Sequence, residues 1–370
     1  MNFHNYRVRY SNLTRRYYSF LGNVFFSVYI GIFFSMKTSD FNYHLPQESI
    51  AQTPAEPRDS SRLLVLHRES GEMEHRHFYD IGKYLNAGDL LVINQTRVIP
   101  ARIYARKETG GKIELLLLRK EDDLTWRALV GGKGLAAGKK IVIDNACGAE
   151  IVDVLEGSQR LIRFDTAIEP FFPQIGNVPL PPYIHAKLED PERYQTVYAQ
   201  EPGAAAAPTA GLHFTPRLMA ELKAKGVDIA HVTLHVGLDT FAPVTEDDVE
   251  EHVIHTEWCE VKPEVAEKIN AAKRAGGRVV AVGTTSVRTL ESASQTGTTA
   301  PTSGATSLFI LPGYQFQAVD VMITNFHLPQ STLVMLVSAF AEREMILNAY
   351  ETAIREGYRF YSFGDAMLIL

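Results

Sequence analysis

Four stretches of this chain place proton-carrying or anion-binding side chains beside residues that bend the backbone. In PTAGLHFT (208–215), Thr209 and His213 flank Gly211, and a glycine lets the main chain approach a ligand closely. In GTTSVR (283–288), Gly283, Thr284, Thr285 and Ser286 join an apolar strand pattern to a helical one, with Arg288 a turn further on. Amides and hydroxyls at such a junction suit an anion or the hydroxyls of a ribose, and they equally suit ordinary helix capping. In TNFHLPQST (324–332), Asn325 and His327 follow a strand, where they either reach a cleft or, for the histidine, pack against Pro329. In NQTRVIPAR (94–102), the Arg97 guanidinium can hold a carboxylate or phosphate with two hydrogen bonds, or make a salt bridge between domains.

Other chemistries lack their residues. Neither GxGxxG nor GxxxxGK[ST] occurs, which disfavours a Rossmann dinucleotide site and a P-loop. A GxSxG elbow and HExxH are missing too. His231 and His235 lie four apart and His252 and His255 three apart, but the first pair falls on a strand pattern. Glu250, Glu251 and Glu257 near the second pair read as a solvated acidic face, so no metal site is expected. Cys147 and Cys259 form no CxxC pair, which argues against a disulfide scaffold and for a cytoplasmic protein.

The elements that must carry these residues are legible. Thr215 reads as an N-cap, Pro216 as the first helical residue and Gly226 as the helix stop. VDIAHVTLHVG (227–237) then alternates, with Ala230, Val232, Leu234 and Val236 on one face and His231, Thr233 and His235 on the other. That polar face is expected to line a cavity. KPEVAEKINAAKRAGG forms an amphipathic helix, RVVAVG and QAVDVMITN form strands, and Ser331 caps the apolar helix TLVMLVSAFAERE. A last helix at Ile346–Arg355 precedes an expected strand YRFYSF.

Strand–helix alternation predicts an α/β fold, a mixed sheet flanked by helices, over 36–100 and 166–370. Between them, ARIYARKETGGKIELLLLRK and the short segments after it have strand spacing and glycine turns. They predict an inserted small antiparallel β-barrel at 101–165. Residues 1–35 differ in texture: Arg7, Arg9, Arg15 and Arg16 precede an apolar run too short to span a bilayer, without a small-x-small cleavage site. They are expected to be a start-site extension before Met36. Without them the formal charge falls from −6 to −10, so a polynucleotide partner would have to meet a local basic patch. Residue-level chemistry alone therefore stops at a two-domain α/β protein with a polar cleft rich in His and Thr.

The motifs go further. NQTRVIPAR, PPYI, RYQTVYA, APTAGLHFT, VTLHVG with TFAPV, HTE, GGRVVAVGTTSVRTLE, FILPGYQF, VDVMITNFHLPQSTLVMLVSAFA and YRFYSFGDAMLIL together resemble one family. It is the S-adenosylmethionine:tRNA ribosyltransferase-isomerases of queuosine biosynthesis, and the likeness covers 36–370 in order. The resemblance implies transfer and rearrangement of the ribosyl group of S-adenosylmethionine onto the aminomethyl group of a 7-deazaguanine in the tRNA wobble position. Adenine and methionine leave, and no metal or redox cofactor is implied.

Such a reaction needs a base for the acidified C5′ proton and an acid for adenine, and a near-neutral imidazole can serve either way. His213, His235 and His327 are the candidates. Thr209, Gly211, Thr284, Thr285 and Ser286 are expected to hold ribose or methionine, Arg97 or Arg288 the methionine carboxylate, and Asn325 to orient the substrate. Arg102, Arg106, Lys107 and Lys112 are expected to contact tRNA phosphates. The protein should be monomeric and without membrane attachment. Gln95 and Asp239 depart from the family pattern, which usually has Asp or Asn and Gly there. Two other classes stay open, a non-catalytic tRNA-binding module and a metal-dependent hydrolase.

Overall fold

The runs Leu63–Leu66, Leu90–Ile93, Val279–Val282 and Val321–Ile323 are buried at every position, so their strands must be covered on both faces. The computed structural model describes residues 36–155, 157–237 and 244–370. Residues 1–35 and Asp239, on which two expectations fell, lie outside them.

In chain order the strands are β1 (Arg62–Leu66), β2 (Met73–His77), β3 (Leu90–Asn94) and β4 (Thr96–Val98). Then come β5 (Arg102–Lys107), β6 (Lys112–Lys120), β7 (Thr125–Gly131), β8 (Lys140–Val142), β9 (Gly148–Val154) and β10 (Gln159–Phe164). After these follow β11 (Gly176–Asn177), β12 (Glu201–Ala204), β13 (Asp228–Leu234), β14 (Glu257–Val261), β15 (Val279–Val282), β16 (Thr302–Thr306), β17 (Val321–Asn325) and β18 (Ala366–Ile369). The helices are α1 (Phe172–Ile175), α2 (Pro216–Ala224), α3 (Pro263–Arg274), α4 (Gly283–Ala293), α5 (Thr332–Ala341) and α6 (Arg343–Arg355).

The main sheet runs β16-β14-β13-β3-β15-β17-β18-β1-β2. Its centre, β13, β3, β15 and β17, is parallel, and β18 returns antiparallel to β17, so the sheet is mixed. Alternate strand residues feed two cores. Leu64, Val92, Ala281 and Met322 meet Val287 and Leu290 of α4 and Val334 and Val337 of α5. Leu63, Leu91, Val280 and Ile323 meet Phe78, Phe214 and Leu218 on the other side. Strands β5-β6-β7-β10-β9-β8 close through a β5–β8 pairing into an antiparallel barrel with its own core, which includes Ile103, Leu115, Ala128 and Ile162. Past residue 165, β11 also pairs with β5 and Phe172 joins the barrel core.

The local signals are realised as read. Thr215 Oγ1 accepts the Leu218 amide at 3.2 Å and Pro216 opens α2. Ser331 Oγ accepts the Val334 amide at 3.3 Å. Phe78–Lys83 form a 3-10 helix. Two readings depart: the helix expected over 332–344 ends at Ala341, where Glu342 at φ 62° turns the chain and Arg343 and Glu344 open α6, and YRFYSF is not a strand. Tyr361 has φ 70°, and the Asp365 carboxylate accepts the Arg359 amide at 2.8 Å and the Arg62 amide at 2.9 Å, folding the segment back. The strand in that region is instead the tail Ala366–Ile369, seated between β17 and β1.

Candidate functional site

Beyond the C-terminal ends of β15 and β17 the main sheet opens a cavity, bordered by 207–210, the start of α4, the 324–333 segment and Tyr361. That is where an α/β sheet exposes its functional loops. Gly283, at φ 84°, turns the chain out of β15 straight into α4, and no side chain caps the helix. The first amides of α4 therefore meet the cavity together with Thr284 and Thr285. Thr285 Oγ1 is buried and has no partner among the described residues. Ser286 does not join them: its hydroxyl donates to the Val282 carbonyl at 2.7 Å.

Asn325 is 2 % exposed and lies at the floor. Its amide nitrogen donates to His213 Nε2 at 3.1 Å and to the Tyr361 carbonyl at 3.2 Å, while its oxygen accepts Thr209 Oγ1 at 3.1 Å. With Nε2 accepting, the other nitrogen of His213 carries the proton and donates to Ser61 Oγ at 2.8 Å. His213 thus stands behind Asn325 rather than on the cavity wall, its ring stacked on Phe78 at 5.0 Å. Burial, with the charges of Arg359 and Arg58, pushes its pKa down to about 3. Gly211 is not a wall residue either. A Cβ there would come within 2.1 Å of the Tyr198 hydroxyl, so this glycine permits packing beneath the 209–213 turn.

His327 does face the cavity. Its Nε2 is 2.7 Å from Thr324 Oγ1, its amide donates to the Tyr350 hydroxyl at 3.2 Å, and its carbonyl accepts from Tyr43. Desolvation lowers its pKa, so the imidazole is neutral at pH 7. His235 lies elsewhere, stacked on Trp258 at 5.1 Å, with Nδ1 at 3.0 Å from Thr96 Oγ1. The expected polar wall of β13 is therefore not part of this cavity. Thr233 takes a hydrogen bond from Gln95 at 3.2 Å, and a Cβ on Gly203 would press within 2.6 Å of the His235 ring. Among the described residues no three His, Cys, Asp or Glu side chains cluster as a metal-holding group.

The two arginines separate. Arg97 is a half-exposed surface partner of Glu192, away from the cavity, whereas Arg288 is buried against Glu257 and borders a neighbouring cavity. On the barrel, Arg102 pairs with Glu114 at 3.1 Å, Arg106 with Asp144, and Lys107 donates to the Lys133 carbonyl. Lys112 is exposed opposite Arg106, and Tyr104 between the arginines is 59 % exposed. Sequence reasoning missed the aromatic edge of the cavity. The rings of Tyr183 and Tyr361 lie 4.6 Å apart and Tyr183 Oη is 2.8 Å from Ser362 Oγ. The motifs PPYI and YRFYSF hold both tyrosines, but only the fold brings them together.

The model of the family described as queuosine biosynthesis protein matches residues 38–369. The S-adenosylmethionine:tRNA ribosyltransferase-isomerase of Moorella thermoacetica is 55% identical over 342 residues, 90% of this chain and the whole of that protein. The chain belongs to this family. The enzyme of the same name from Carboxydothermus hydrogenoformans is 56% identical over 339 residues, again 90% of this chain and all of the relative. The crystal structure of the S-adenosylmethionine tRNA ribosyltransferase from Thermotoga maritima aligns over 90% of this chain and all of its own, at 41% identity and a TM-score of 0.54. The mixed sheet with its barrel and the ribosyltransferase-isomerase assignment in queuosine biosynthesis thus stand together.

A pH dependence follows from the buried histidine. With a folded pKa near 3 against an ordinary value of about 6.5, His213 stays unprotonated in the fold while the unfolded chain takes up a proton. Its contribution is complete above about pH 6.5 and falls by up to about 1.4 kcal/mol per pH unit as pH drops toward 3. Between pH 7.5 and 5 the unfolding free energy from urea titration should fall more steeply for wild type than for His213→Gln, by roughly 0.6 proton on average. Equal slopes would mean that folding does not depress the His213 pKa.

Proposed function

We propose that the β15–β17 cavity binds the ribosyl part of S-adenosylmethionine and delivers it to the aminomethyl group of a 7-deazaguanine at the tRNA wobble position. The products would be epoxyqueuosine-tRNA, adenine and methionine. The supporting observation is the uncapped N-terminus of α4 with Thr284 and Thr285, facing the Thr209–Asn325 pair across one cavity. These amides, hydroxyls and the side-chain amide match a ribose hydroxyl for hydroxyl. Tyr183 and Tyr361 give a planar base an aromatic edge.

His327 is the one imidazole candidate on the cavity wall, and it exchanges the proton of the C5′ carbon beside the sulfonium. His213 acts through Asn325 as a positioning residue, fixing which way the amide points. His235 supports the 203–204 backbone. S-adenosylmethionine is a co-substrate, and no further cofactor is needed. Among the described residues no helix is long and apolar enough to cross a membrane. A cytoplasmic monomer that meets tRNA with its barrel completes the reading.

The direct test supplies tRNA bearing the aminomethyl-deazaguanine and S-adenosylmethionine labelled in its ribose, with chelator present. Label in tRNA matched by released adenine supports the reading. Transfer of a methyl group, or loss of activity to chelator, contradicts it. For the barrel, neutralising Arg106 and Lys112 should reduce the slope of log affinity for tRNA against log salt by about 0.7–0.9 for each phosphate that is no longer neutralised. An unchanged slope would move the tRNA surface elsewhere.

A further inference from the structure

One turn beyond Thr284 and Thr285, α4 presents Arg288 to a second cavity, and Leu333 borders both spaces. The Arg288 side chain is only 7 % exposed. One end of its guanidinium pairs with Glu257, and Nε donates to the Leu308 carbonyl at 3.2 Å. Nη2 is buried with no partner among the described residues. A guanidinium donor left unmatched inside a protein is costly unless something else accepts its proton. Phe309, Ile310 and Leu336 give this cavity an apolar side, and His252, His255, Glu257 and Thr332 border it as well.

We propose that this second cavity receives the amino-acid arm of S-adenosylmethionine, with the α-carboxylate on Nη2 of Arg288 and the methylene chain along Phe309 and Leu336. The proposal rests on the ribosyl group occupying the first cavity. A helical turn rises roughly 5.4 Å, a span that the short chain between sulfonium and carboxylate can bridge. Arg97, the alternative carboxylate partner, is 39 % exposed and engaged with Glu192 outside both cavities. Recognition of the carboxylate here would select S-adenosylmethionine over nucleosides that lack the arm. It would also keep methionine in place until the ribosyl group has left its sulfur.

The test compares S-adenosylmethionine with its decarboxylated analogue by calorimetry on the intact wild-type protein. The analogue should bind about 10- to 100-fold more weakly, the value of a hydrogen bond to a charged group. Arg288→Lys keeps a cation beside Glu257 but loses the forked donor, and the discrimination should shrink to about 3-fold or less. Melting curves report whether that variant folds; if it does not, the two ligands on wild type still decide. Equal binding of both ligands to wild type overturns the carboxylate site while leaving the ribosyl cavity intact. Binding of neither overturns the ribosyl reading, and this proposal with it.

Discussion

Alanine at position 327 should lower kcat by about two to four orders of magnitude, the usual contribution of a positioned acid or base. The change removes only the imidazole. The backbone of residue 327 remains held by the hydroxyls of Tyr43 and Tyr350, and Thr324 Oγ1 faces a cavity in which water can replace the missing ring nitrogen. Melting temperature should therefore change little while turnover collapses, with the KM for S-adenosylmethionine within a few-fold. Because desolvation lowers the His327 pKa, the wild-type enzyme should show no loss of rate from protonation of this ring between pH 6.5 and 8. A variant that turns over near the wild-type rate would remove His327 from the proton traffic.

Asn325→Ala should damage both stability and activity. One buried side chain links His213, Tyr361 and Thr209, and its removal leaves an imidazole nitrogen and a carbonyl without their donor. An expected cost of about 2–4 kcal/mol follows from two stranded buried acceptors plus the small void. Urea unfolding measures it. The same substitution frees Thr209 and the Tyr361 turn, so kcat should fall by at least about tenfold even where the protein is fully folded. Wild-type stability in this variant would mean that water satisfies the three partners, and that the network does not hold the cavity floor.

Much of this was legible because it is local. Thr215 with Pro216, Ser331 before an apolar run, and glycine turns between short strands each act within a few residues. The same holds for the Gly283–Thr285 junction, whose backbone turn and hydroxyls are adjacent in the chain. The parts misread depend on distant partners. His235 alternates with apolar neighbours as a cavity-lining residue would, but Trp258 and Gly203 cover it. His213 looks like a loop acid–base group until Asn325, 112 residues later, takes its nitrogen. YRFYSF has a strand's composition, and Asp365 turns it through contacts with Arg359 and Arg62. Arg97 and Arg288 are indistinguishable as residue types, and only burial and the location of Glu192 and Glu257 separate them.

One cavity at the ends of β15 and β17 should hold the ribosyl group within reach of His327. A crystal structure of the protein with S-adenosylmethionine bound tests it most directly. Ribose hydroxyls should be hydrogen-bonded among Thr209, Thr284, Thr285 and Asn325, with C5′ facing the His327 imidazole. Density for the nucleoside against His235 and Trp258, or on the barrel surface, with this cavity left to water, would contradict it.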